Sequence, residues 1–296
     1  MKRSHLVSLA FTALATFSLL AGCNSLDEQQ RGWIFQPSDR SWGASAELAQ
    51  DMSDVWLKFD SAVTGRPVKL HGLWLPAGGR DVGSTSAHAP LMLYLHGARY
   101  NVTGSAGRVR RMQELGFSVL AIDYRGFGKS SSGLPSEAMA QEDARAAWDW
   151  LAAQHPGRPR YIFGHSLGGA VAIDLAAKVD DEAGTIVEGT FTSIADVIGT
   201  MKWGWLPLGP LITQPFDSME KVARLGAPLL VVHGSDDSTI PPELGRKLYE
   251  AARRPKAFVL VDGGSHHNTN ALGQSQYRSA LAGLFGAGQS TALIAK

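Results

Sequence analysis

Cysteine is nearly absent from this chain. Cys23 is the only one in 296 residues, so no disulfide can form within a single copy. No paired Cys/His spacing of a metal site and no P-loop is present. Excess charge of either sign is also lacking. Lys and Arg number 28 against 27 Asp and Glu, and no basic stripe breaks that balance. Neither a nucleic-acid surface nor an acidic partner is therefore expected. Internal repeats and coiled-coil heptads are missing too. What remains suits one large α/β domain with a sizeable core rather than two linked domains.

The N-terminus stands apart from that domain. Lys2 and Arg3 precede an apolar run, Leu6 to Leu20, that is shorter than the roughly 20 residues a membrane span needs. It has the layout of an export signal. Leu20-Ala21-Gly22-Cys23 resembles a bacterial lipobox, which implies cleavage before Cys23 and lipid modification of its thiol. Each buried acyl methylene adds about 0.8 kcal/mol of membrane affinity, so several chains would anchor the protein without a spanning helix. The expected division is a lipoprotein signal peptide at 1–22, a lipid-anchored tether at 23–50 and the domain at 51–296. Asn24 after the cysteine favours, by analogy with enteric bacteria, the outer membrane facing the periplasm. Within the polar tether, Trp33-Ile34-Phe35-Gln36-Pro37 is apolar enough to dock on the domain, the alternative being that these aromatics lie at the bilayer surface.

Val55–Phe59 and Val68–Leu75 alternate apolar with polar or small residues around Thr64-Gly65-Arg66-Pro67, the pattern of an antiparallel hairpin. Six short apolar runs follow: Leu91–Leu95, Phe117–Ile122, Arg160–Phe163, Thr185–Val187, Pro228–Val232 and Ala257–Val261. Helical patterns separate most of them, which predicts an eight-stranded, mostly parallel sheet with helices on both faces. One segment breaks the rhythm. From Ile194 to Pro215, the proline and glycine density excludes a single long helix. Its Met201, Trp203, Trp205, Leu206, Leu208 and Leu211 suit a short cap-like insertion at about 194–215 with an apolar lining for a substrate, or else a loop packed by its own aromatics.

The chemistry centres on Tyr161-Ile162-Phe163-Gly164-His165-Ser166-Leu167-Gly168-Gly169. An apolar strand enters, a serine sits between glycines, and a helical pattern leaves. This is the G-x-S-x-G elbow in the setting it requires. A serine hydroxyl needs a base to take its proton and a third group to orient that base. On such a sheet the acid and the histidine follow in that order, each in a loop after a later strand. Past Leu229–Val232 the loop offers two acids, Asp236 and Asp237. Past Ala257–Val261 it offers two histidines, His266 and His267. The expected oxyanion donors are the backbone N–H of Leu167, next to the nucleophile, and that of Ala98 in His96-Gly97-Ala98.

These motifs, with Val55-Trp56-Leu57, Leu70-His71-Gly72 and Asp123-Tyr124-Arg125-Gly126-Phe127-Gly128-Lys129-Ser130, resemble the α/β-hydrolases. The resemblance is to their Bem46-like and ABHD13/17-like serine hydrolases, and it runs from about Phe35 to Phe285. It implies the α/β-hydrolase fold, a catalytic Ser166, Asp237 as the acid through H-G-x-x-D-x-x-I-P, and His266 as the base. Asp236 and His267 are then the alternatives in each loop, and Asp123 is structural. The implied activity is hydrolysis of a carboxylic ester, of a small molecule or a lipid, through an acyl-enzyme and without metal or organic cofactor. Thioesterase, peptidase or amidase and acyltransferase chemistry use the same triad. A non-catalytic scaffold lipoprotein is the rival of another class. Ala98-Arg99-Tyr100 departs from the family's oxyanion loop, where Asn-Ala is frequent.

Overall fold

The structure is a computed structural model and describes residues 25–38, 45–78, 88–202, 204–207 and 209–286. The expected signal at 1–22 and the lipidation residue Cys23 lie outside the described residues, as do Trp203 and Leu208 of the expected cap.

Strands β1 (Ser53–Asp60) and β2 (Pro67–Leu75) form the antiparallel hairpin, with Leu57 opposite Leu70. Strands β3 (Leu91–Leu95), β4 (Ser118–Ile122), β5 (Arg160–His165), β6 (Gly184–Glu188), β7 (Leu229–Gly234) and β8 (Lys256–Val261) are mutually parallel. All eight make one sheet in the order β1-β2-β4-β3-β5-β6-β7-β8, and β2 joins it antiparallel to β4.

Period-two alternation divides the interior into two cores. Leu91, Leu93, Leu95, Leu120, Ile122, Ile162 and Val231 face one side, while Met92, Tyr94, Val119, Ala121, Phe163 and Val232 face the other. Burial on both sides explains why the central strands read as unbroken apolar runs. Of the longer helices, residues 25–35 form α1, Ala106–Glu114 α2, Glu137–Gln154 α3, Leu167–Ala176 α4, Pro242–Ala251 α5 and Gln274–Phe285 α6. Every residue of α4 is buried, so the helix that leaves the serine is the central element of its face.

Helix α1 is a finding that the polar composition of 23–50 did not predict. Its inward face is held by polar contacts rather than by an apolar stripe. Arg31 donates to the Pro135 and Leu134 carbonyls and pairs with Asp27. Gln30 donates to Leu211 O at 2.7 Å and accepts from Thr213 N at 2.9 Å, and Asp27 accepts from Gln214 at 2.8 Å. At its C-terminal end Phe35 is fully buried, with its ring edge-on to Phe216 and tilted against Phe127. Burying such a ring contributes about 1.5–3 kcal/mol. The 194–215 segment is short-helical, with Ile194–Gly199 and a single turn at Gly209–Leu211. Three of the contacts above bind it to α1.

Candidate active site

Loops after the C-terminal ends of β3, β5, β7 and β8 meet at one edge of the sheet, where ligands bind in open α/β sheets. A groove of about 560 Å³ lined by Trp74, Pro76, Ser118, His155 and Arg158 lies at the opposite strand ends, away from this edge.

Ser166 sits between β5 and α4 at φ 55°, ψ −122°. A non-glycine residue seldom takes that conformation. The turn persists because its neighbours leave no alternative. A Cβ on Gly164 would collide with the Gly168 backbone, and one on Gly168 with the Leu95 carbonyl. Ser166 N–H donates to Glu188 O at 2.9 Å, and Ser166 O accepts from Thr190 Oγ1 at 2.8 Å. The hydroxyl is thereby pushed out of the helix line toward the loop after β8.

His266 Nε2 lies 3.0 Å from Ser166 Oγ, and its Nδ1 lies 2.8 Å from Asp237 Oδ2. An ionised carboxylate only accepts, so the imidazole proton resides on Nδ1 and the Nε2 lone pair faces the hydroxyl. Asp237 and His266 are buried. Burial by itself would raise the Asp237 carboxyl. Hydrogen bonds with His233 and His266, the charge His266 can carry and the Ile240 N–H outweigh that, and hold it well below the usual carboxylate range. Its other oxygen, Oδ1, accepts from Thr239 N and Ile240 N, both at 2.9 Å.

The structure brings Ser166, Asp237 and His266 together and leaves their neighbours outside. Asp236 is exposed and takes a bond from Ser235 Oγ at 2.8 Å. His267 is exposed, with its ring edge-on to His266 at 5.5 Å. Gly97 lies directly against the Ser166 side chain, such that a Cβ there would sit 3.0 Å from Ser166 Cβ. That contact sets Ala98 beside the serine, and Leu167 follows it in the chain. Among the described residues neither of these two N–H groups has a hydrogen-bond acceptor. Beyond Ala98 the departure from the family pattern has a conformational counterpart. Arg99 and Tyr100 both have positive φ, at 68° and 58°. Arg99 N–H donates to Phe35 O at 2.9 Å and its Nε to Gln36 Oε1 at 2.9 Å, so the end of α1 holds this loop.

Asp123 is used internally, accepting from Val102 N at 2.6 Å and facing His71 Nδ1 at 3.1 Å. Three polar residues that the sequence did not single out also surround the triad loops. His233 is fully buried, donates to Ile240 O at 2.8 Å and lies 3.4 Å from Asp237. Arg108 and Glu188 form an ion pair at 2.9 Å behind the serine. The signal for Glu188 was its place at the end of the all-buried strand β6, where an acid requires a partner. No group of three His, Cys, Asp or Glu suited to a metal occurs among the described residues.

A serine on a strained strand–helix turn, at the C-terminal edge of an eight-stranded, mostly parallel sheet, defines the class as a hydrolase of the α/β-hydrolase fold. Residues 86–214 match the Hydrolase_4 family model, described as serine aminopeptidase, S33. An uncharacterized protein of Mycobacterium tuberculosis is 34% identical over 246 residues, covering 82% of this chain and 83% of that protein. With that match the chain belongs to the Hydrolase_4 family of α/β-hydrolases. A lysophosphatidylserine lipase, ABHD12 of Macaca fascicularis, is 34% identical over 209 residues, and the match spans 62% of this chain and about half, 52%, of that relative. Among solved structures, the Pyrococcus furiosus esterase Pf2001 superposes with a TM-score of 0.64 at 19% identity, covering 85% of this chain and 97% of the esterase. Est1E of Butyrivibrio proteoclasticus, with ferulic acid bound, gives 0.63 at 18% identity over 78% and 99% of the two chains.

Proposed function

We propose that this protein is a serine hydrolase that cleaves carboxylic esters through an acyl-enzyme. One observation carries the reading: the unbroken line from Ser166 Oγ through His266 to Asp237, at 3.0 and 2.8 Å. In the first half-reaction His266 Nε2 takes the Ser166 proton as Oγ attacks the acyl carbonyl. The backbone N–H groups of Ala98 and Leu167 stabilise the oxyanion that forms. His266 then passes its proton to the leaving alkoxide. In the second half-reaction a water loses a proton to His266 and attacks the acyl carbon; the Oγ–acyl bond then breaks, His266 returns that proton to Ser166 Oγ, and the acid leaves. Asp237 keeps the imidazole in the reactive tautomer and stabilises the imidazolium.

The lipase and esterase names among the relatives support an ester, and so does the apolar 194–215 segment. Met201, Trp205, Leu206 and Leu211 stand exposed there. The description of the family model, in contrast, favours an aminopeptidase. The two readings separate on matched substrates, p-nitrophenyl acyl esters against aminoacyl p-nitroanilides. The esters should turn over with kcat/KM at least about 10²-fold higher, a gap of some 2.7 kcal/mol in activation free energy. Faster anilide cleavage would make the aminopeptidase reading the correct one.

The proposal includes a membrane tether through lipidated Cys23, placing the domain at the bacterial cell envelope, on the periplasmic side of the outer membrane. Leu26 and Trp33 of α1, three and ten residues past Cys23 in the chain, are exposed. Tryptophan at that distance from an acyl anchor suits the bilayer interface. No helix of the described residues is long and apolar enough to cross a membrane. Cys23→Ser should move the protein from the membrane pellet to the salt-washed supernatant of fractionated cells, with hydrolysis of a soluble ester unchanged. Retention of the variant in the pellet would remove the lipid anchor from the proposal.

A further inference from the structure

We propose that Arg108 is a positioning residue for the histidine base, acting as a clamp on the backbone of its loop. The inference rests on the hydrolase reading above and goes beyond it to a residue that touches neither substrate nor Ser166 Oγ.

The geometry is specific. Arg108 lies on α2, and its side chain is only 12% exposed. Nε donates to Glu188 Oε1 at 2.9 Å. One Nη2 reaches the carbonyls of both His266 and His267, each at 3.1 Å, and lies 3.1 Å from His165 Nε2. The same His165 Nε2 lies 3.1 Å from the His266 carbonyl, so the ring packs against both the guanidinium and one of the carbonyls it holds. Burial first, then the charges of Arg108 and His266, hold His165 well below the usual imidazole range, which keeps that ring neutral.

The far end of the clamp is fixed as firmly. Glu188 is 1% exposed, and its second oxygen takes the hydroxyl of the fully buried Tyr277 on α6. Its carbonyl receives the Ser166 N–H. Glu188 also stands opposite His165 in the β5–β6 register. One residue pair thus connects the elbow that carries Ser166 to two successive carbonyls of the loop that carries His266. Asp237 orients the imidazole ring, and Arg108 fixes the backbone from which that ring projects. A planar fork can serve the carboxylate and the carbonyls at once, whereas a lysine ammonium is a single point charge on a flexible stem.

The test uses the full-length protein and four forms: wild type, Ser166→Ala, Arg108→Lys and Arg108→Ala. Each is scored by fluorophosphonate labelling rate, kcat and KM per folded molecule, and response to added guanidinium below its denaturing range. Displacing a catalytic group by about an ångström costs on the order of 10² in rate. Arg108→Ala should therefore lose about 10²-fold in kcat and labelling rate and Arg108→Lys about tenfold, with KM within about twofold. Guanidinium should restore part of the activity of Arg108→Ala and none of that of Ser166→Ala. If Arg108→Ala does not fold, the kcat and KM of Arg108→Lys decide the matter. Wild-type kcat in Arg108→Lys overturns the clamp while leaving the hydrolase reading intact. So does a loss confined to the yield of folded protein, or one in Arg108→Ala without rescue. Labelling that survives in Ser166→Ala overturns the hydrolase reading and the clamp together.

Discussion

Replacing Ser166 by alanine should lower ester turnover by about 10⁵- to 10⁶-fold and abolish covalent labelling by a fluorophosphonate, read as intact mass. His266→Ala should fall nearly as far, because a nucleophile and its base act as one unit and their losses do not add. His267→Ala is the decisive companion. That side chain is exposed, while Arg108 binds only its carbonyl, which every substitution but a backbone change retains. Its kcat should stay within about threefold of wild type, as for surface substitutions away from special contacts. Collapse of activity in the His267 variant, with His266→Ala active, would reverse the assignment of the base. The 3.0 Å contact between Ser166 Oγ and His266 Nε2 is the reason to expect the opposite.

The second large effect concerns the acid. Asp237→Asn should reduce kcat by about 10⁴-fold at neutral pH, since an amide facing Nδ1 favours the wrong imidazole tautomer. Asp236→Asn should change kcat by less than about twofold, because its carboxylate is exposed and, among the described residues, engages Ser235. The same pair of variants has a signature in stability. The Asp237 carboxyl is held below its ordinary value of 3.8 in the fold, so the folded state binds fewer protons there than the unfolded chain. Its contribution is complete above that ordinary value and is lost as pH falls through the lower, folded one. Urea unfolding should thus show wild type more stable than Asp237→Asn at pH 7, with the gap narrowing as pH drops below about 4. A gap that instead widened toward acid would show that Asp237 is not stabilised as a carboxylate.

The elbow was legible because its whole physical requirement is local. A strand, a turn that tolerates no side chain and a buried helix are contained in residues 160–176, and each leaves its mark on composition. The sheet was legible for a related reason, since burial on both faces erases alternation and leaves short Val, Ile and Leu runs. The choice within Asp236-Asp237 and within His266-His267 is of another kind. Adjacent loop residues share the same composition and differ only in which way the backbone turns. Asp237 faces inward because Thr239 and Ile240 N–H groups close a turn onto its carboxylate. Motif resemblance alone favoured it beforehand. Arg108 was hidden for a third reason. On α2 it reads as one of three basic residues, Arg108, Arg110 and Arg111, on a solvated helix, and its partner lies 80 positions away in the chain. Helix α1 escaped notice because polar hydrogen bonds to residues 134–135 and 211–214, rather than an apolar stripe, tie it down.

The grip of Phe35 on Arg99 has a practical meaning for anyone who trims this chain. A recombinant fragment begun at residue 51, where composition places the domain, would uncover the rings of Phe127 and Phe216. It would also remove the Phe35 carbonyl that accepts the Arg99 N–H, next to Ala98. A fragment that keeps α1, from residue 25 onward, retains these contacts. Force applied to the leading segment by a fusion partner would reach the loop of Ala98 and Arg99 through α1 and the Phe35 carbonyl.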